Sequence, residues 1–125
     1  MVTIMKRTFL SLYMAITSLV VLRALFNGQD LISYFDFTSL SLVLVPCTLV
    51  FLLTKKQKNC FKHVILTSIL AGFFGLVLGV ILTFSNGHLD VEGAFMGLSV
   101  ALLPMFYALL VSLLIFPFHL VSNDK

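Results

Sequence analysis

Apolar residues fall in four long runs separated by short polar segments. The first covers about 9–26 and is broken only by Arg23; the others cover about 37–54, 64–84 and 94–121. At about 1.5 Å of rise per residue, each run wound as a helix crosses a hydrocarbon core of about 30 Å. The fourth is longer than a crossing needs and is expected to tilt or project beyond the core. Segments 27–36, 55–63 and 85–93 are polar and too short to hold a second domain. The pattern predicts an all-α membrane protein, a single transmembrane domain of four helices over residues 1–125.

Composition agrees with lipid as the solvent. Apolar residues make up 60% of the chain and charged residues 10%, against about a quarter charged in a soluble domain. Mean hydropathy is +1.13. Too little polar surface is present to cover a water-exposed globule.

Charge then sets the expected orientation. In an up-down arrangement Lys6, Arg7, Lys55, Lys56, Lys58, Lys62 and Lys125 share one side, and Asp30, Asp36, Asp90 and Glu92 share the other. The positive-inside rule places both termini and the basic 55–63 loop in the cytoplasm. Lys55, Lys56, Lys58 and Lys62 are expected to hold anionic lipid head groups. Arg23 falls one turn from the outer end of the first helix and is expected to snorkel outward. The net charge of +3 therefore reads as topology, and no basic patch with interleaved aromatics suggests nucleic-acid binding. Lys6-Arg7 ahead of an apolar run has the form of a signal peptide. Arg23, however, occupies the place of the small, neutral cleavage region, so the helix is expected to be retained.

Little in the chain suggests chemistry at a site. Cys47 and Cys60 fall at different depths, which argues against a disulfide. Cys60 and His63 form half of a metal pattern that no second pair completes. His63 and His119 lie at the expected cytoplasmic rim and His88 in an outer loop, ordinary interfacial places. No Ser-His-Asp set, phosphate loop or carboxylate pair is present, so no enzyme and no cofactor are expected. None of the four runs holds a mid-depth carboxylate of the kind an ion-coupled transporter uses.

The last two runs carry small residues on one helical face: Gly72, Gly75 and Gly79 in one, and Gly97, Ala101, Pro104 and Ala108 in the other. Gly75 and Gly79 form G-x-x-x-G, as do Gly93 and Gly97. Two accounts fit: the helices pack closely inside one subunit, or they also line a seat for a helix inserted from elsewhere. Pro104 removes a backbone hydrogen bond and is expected to kink the fourth helix.

The stretch Gly72-Phe-Phe-Gly75-Leu-Val-Leu-Gly79, then Gly97-Leu-Ser-Val-Ala-Leu-Leu103, Tyr107 and Phe116-Pro117, resembles the last two helices of the MotA/TolQ/ExbB proton-channel family. That family's pattern runs G-x-x-G-T-x-x-G, a short loop, then G-x-A-x-A-L-x-T and a terminal Pro. Asn27-Gly28 and Phe35-Asp36-Phe37-Thr38-Ser39 resemble, more weakly, the first hairpin of flagellar stator A subunits. The resemblance implies a pentameric ring in the bacterial cytoplasmic (inner) membrane. Its last two helices would line a pore around two copies of a B-type, MotB/ExbD/TolR-like single-span partner. The partner brings the membrane Asp that takes up a proton or sodium ion. On this reading Gly72, Gly75, Gly79, Gly97, Ala101, Pro104 and Ala108 face the partner helix.

The chain departs from the family at Leu76 and Pro104, where the pathway threonines fall, and at Ile69, where flagellar members commonly have Pro. Thr67, Thr83, Ser99 and Ser112 are the substitute polar candidates, set against simple bonding of each hydroxyl to its own helix. The 55–63 loop is too short for the cytoplasmic arm with which flagellar stators push on a rotor, so the chain resembles a minimal version without it. The rival functions are a non-conducting scaffold or assembly subunit and a holin-like pore former, the last of which predicts growth arrest on induction.

Overall fold

The computed structural model describes residues 2–27, 35–85 and 90–123. Gly28, Asp30, His88 and Lys125, which enter the reading above, lie outside the described residues. All regular structure among the described residues is helical: α1 (Val2–Phe26), α2 (Phe37–Thr54), α3 (Cys60–Ser85), α4 (Val91–Ala101) and α5 (Leu103–Asn123). α4 and α5 together form one apolar span, so four segments are long and apolar enough to cross a membrane.

Several boundaries differ from the sequence reading; α4, for one, begins at Val91 rather than about 94. α1 extends back through Arg7 and Lys6 to Val2, and α3 begins at Cys60, so Lys62 and His63 belong to a helix and the basic turn shrinks to 55–59. The apolar run marks the bilayer-crossing part of a helix. Lysine and arginine propagate helix well, so the ends extend beyond it. The fourth run is two helices, with Leu102 as the junction. Pro104 supplies no N–H, which leaves the Val100 carbonyl without its regular helical donor and ends α4 there.

Capping sets the starts of α2 and α4. The Asp36 carboxylate accepts from the Thr38 N–H at 3.4 Å and the Ser39 N–H at 3.2 Å, and also from the Ser39 hydroxyl. Asp90 accepts from the Gly93 N–H at 2.9 Å, with Glu92 in the first turn. Both place negative charge at the positive end of a helix dipole.

α3 is the centre of the bundle, packed against α2 on one side and against α4 and α5 on another. α1 lies mainly against α5 and buries none of its residues. The inner core contains Val43, Cys47, Cys60, Val64, Leu103, Tyr107 and Ala108. The outward faces of the helices are mainly hydrocarbon, as lipid requires.

The seam between α3 and α4–α5 is a ladder of small side chains in antiparallel register. Gly97 faces Thr83, Ala101 faces Gly79, Pro104 faces Gly75 and Ala108 faces Gly72. One step lower, the Ser68 and Ser112 hydroxyls meet at 2.9 Å. The register carries across the Leu102 break without a shift, so the break does not uncouple the span from α3. A Cβ added at Gly79 would stand 2.6 Å from the Ala101 Cβ and 2.8 Å from its Cα. Only glycine permits this approach, as in other small-residue membrane seams.

Candidate groove between α2, α3 and α4

α2 and α4 flank one face of α3, and between them lies an open groove of about 460 Å³. Gly75, Gly79, Gly97, Ala101, Pro104 and Thr83, all singled out in the sequence, line it together with Leu42, Leu78, Val100 and Gly93. Gly75, Ala101 and Pro104 are buried at its base, whereas Gly79, Gly93 and Gly97 stay half-exposed. The volume suits the side chains along one face of a helix rather than a whole helix of about 10 Å diameter.

The remaining sequence candidates lie elsewhere. Gly72 and Ala108 are buried in the α3–α5 seam. Ser112 donates to the Ala108 carbonyl at 2.8 Å and meets Ser68, which is fully buried and bonds to the Ile65 carbonyl. Thr67 donates to the His63 carbonyl at 2.8 Å and Ser99 to the Phe95 carbonyl at 2.9 Å. Thr83 reaches the groove, yet it too bonds its own helix, at the Gly79 carbonyl, 2.7 Å away. Each hydroxyl proposed for a polar pathway is thus engaged one turn back along its helix.

Comparison with protein-family models, with curated proteins and with solved structures returned no match.

The polar end of the groove is made by residues the sequence reading did not single out as site residues. Asp36, Thr38 and Ser39 form one wall. The Asp36 N–H donates to the Tyr107 hydroxyl at 2.9 Å, and Tyr107 is buried on α5. This bond ties the start of α2 to the middle of the bundle. Leu42 packs beside Gly75, so Asp36, capping α2, falls about 6 Å short of the end of α3, roughly four residues of helical rise. A carboxylate therefore stands, with Thr38 and Ser39, at the recessed mouth of a mainly apolar groove. The Ser39 hydroxyl bond is the main cause holding Asp36 below its ordinary pKa of 3.8; burial opposes it, and the Ser39 and Thr38 N–H groups add to it. The signal was legible as an N-cap, Asp36 followed by Thr38-Ser39 ahead of an apolar run. Its recess was not, because depth depends on how α2 is staggered against α3.

Two predictions arise here. Asp36→Ala is expected to cost about 1 kcal/mol near neutral pH through loss of the cap. Because the folded pKa is depressed, the cap's contribution is complete above pH 3.8 and fades as pH falls through the lower folded value. Thermal unfolding of both proteins across acidic pH should show the difference closing only there. Tyr107→Phe is expected to cost about 1 kcal/mol by orphaning the Asp36 N–H, read as a lower midpoint at unchanged helix content.

At the opposite end of the bundle Lys55, Lys56, Lys58 and Lys62 are all exposed, suited to anionic head groups. The Phe61 and Phe118 rings meet in a tilted contact with centroids 5.9 Å apart, joining the α3 start to the α5 end. Cys47 and Cys60 are free, buried thiols. No cluster of three metal-ligating side chains occurs among the described residues.

Proposed function

We propose that this multi-pass membrane protein is a non-enzymatic subunit that seats a partner's transmembrane helix in the α2–α3–α4 groove, as the A-type member of an ion-driven motor or channel. The observation that carries the reading is the incomplete covering of the groove glycines. α4 and α5 already satisfy the seam, yet Gly79, Gly93 and Gly97 keep a backbone surface turned to the groove. Half-covered glycines let a further helix backbone approach closely. In this reading the chain forms a ring, with five copies as the family pattern implies, in the bacterial cytoplasmic membrane with both termini inside. The ring would surround two copies of a single-span protein bearing the membrane Asp.

Gly75→Leu and Ala101→Leu do not test the seat alone. A Cβ on Gly75 would lie 2.6 Å from both Leu42 Cδ2 and Pro104 Cβ, and Ala101 is 3% exposed, so both changes would also open the bundle. Val100 lines the groove and is 53% exposed. Val100→Phe is expected to fold and insert normally while abolishing co-purification of the partner. Native mass spectrometry of the complex from its own host, with co-purifying chains sequenced, is the measurement. A ring with a single-span, Asp-bearing partner supports the reading; a monomer or dimer without one overturns it.

One observation favours a second reading, a scaffold that conducts nothing. Thr67, Thr83, Ser99 and Ser112 each bond to their own helix and form no continuous polar line. Proton and sodium flux in liposomes, with and without the co-purified partner, separates the two.

A further inference from the structure

A second crevice, of about 490 Å³, lies between the first half of α1 and the last half of α5. Its walls are hydrocarbon from Phe9, Leu12, Tyr13, Pro117 and Leu120, and Lys6 lines one end. Lys6 is half-buried there, with Arg7 exposed beside it in the sequence. α1 buries no residue, so side-chain packing does not close the crevice. The two helices are instead bridged by the Tyr13 hydroxyl, which donates to the Leu113 carbonyl at 3.0 Å. The volume falls in the ordinary range for small-molecule sites, about 300–1,000 Å³.

We propose that this crevice is a binding site for an anionic phospholipid, with an acyl chain lying along Phe9, Tyr13 and Pro117 and the phosphate on Lys6. Charge complementarity selects the occupant. An apolar slot alone accepts any hydrocarbon chain, whereas a cationic side chain at the slot's end adds preference for a negative head group; basic pockets between membrane helices bind lipids in this way. A lysine suits the task because its long stem can cover apolar surface while its ammonium extends toward the head-group layer. The inference stands apart from the helix-seating reading, since no residue of the α2–α3–α4 groove takes part.

The test uses the full chain in nanodiscs of phosphatidylglycerol and phosphatidylcholine, delipidated stepwise and read by native mass spectrometry. Phosphatidylglycerol is expected to stay bound after phosphatidylcholine has left. Lys6→Gln should reduce that preference about fivefold, the equivalent of one lysine at a charged surface. Leu12→Trp, which fills the slot, should remove retention of both lipids. A combined Lys55→Gln, Lys56→Gln, Lys58→Gln variant should keep it. Equal retention of the two lipids, an unchanged preference in Lys6→Gln, loss of retention in the triple variant, or displacement of the lipid by inorganic phosphate would each overturn the proposal.

Discussion

Gly79→Leu is expected to be among the most damaging single substitutions in the bundle, costing about 3 kcal/mol or more as a severe case of overpacking. The added Cβ would stand 2.8 Å from the Ala101 Cα, a backbone atom that no rotamer change can move. Relief requires α3 and α4 to separate. Because the register is shared, separation at Gly79 also pulls on Gly75–Pro104 and Thr83–Gly97. A change to leucine on the lipid side should do little: Phe73→Leu replaces a side chain that is 59% exposed and is expected to shift stability by less than about 0.5 kcal/mol. Thermal unfolding in one detergent, with helix content followed by circular dichroism, compares the two directly. Similar midpoints for both variants would show that the seam does not limit stability.

Gly79 also shows why the seam was legible before the structure. Small residues at intervals of three and four place one smooth stripe on each helix, and two such stripes in successive spans invite pairing. Gly72, Gly75 and Gly79 do meet Ala108, Pro104 and Ala101. The spacing did not disclose which part of the stripe is consumed in the pairing. Gly72 and Ala108 are fully used by it, whereas Gly79, Gly93 and Gly97 keep a surface in the groove. That division depends on where α2 ends. α2 begins below the end of α3 and leaves the upper part of the stripe uncovered, a three-dimensional stagger that no single helix pattern encodes. Asp36 illustrates the same gap: its capping role follows from the residues beside it, its position at the groove mouth from the Tyr107 bond. The polar candidates failed to assemble for a local reason. In lipid a serine or threonine hydroxyl has few partners, and the carbonyl one turn back is always within reach.

The same scarcity of partners makes the Tyr13 bond unusually consequential. Pro117 lies inside α5 and cannot donate to the carbonyl four residues earlier, which is that of Leu113. The Tyr13 hydroxyl occupies that vacancy at 3.0 Å, so a tyrosine on α1 completes the hydrogen bonding of α5. Tyr13→Phe is therefore expected to cost about 2 kcal/mol, since an unpaired carbonyl in hydrocarbon is expensive and α1 has no buried side chain to compensate. The cause can be isolated with a double-mutant cycle. In a Pro117→Ala background the alanine N–H restores the helical bond to Leu113, and the cost of Tyr13→Phe should fall to half or less. The measurements are unfolding midpoints for the four proteins and amide hydrogen exchange in α1. Exchange should rise in Tyr13→Phe and return toward the original rate when Pro117→Ala is added. An equal cost in both backgrounds would mean that Tyr13 acts through ring packing against α5, and α1 would then be held by apolar contact alone.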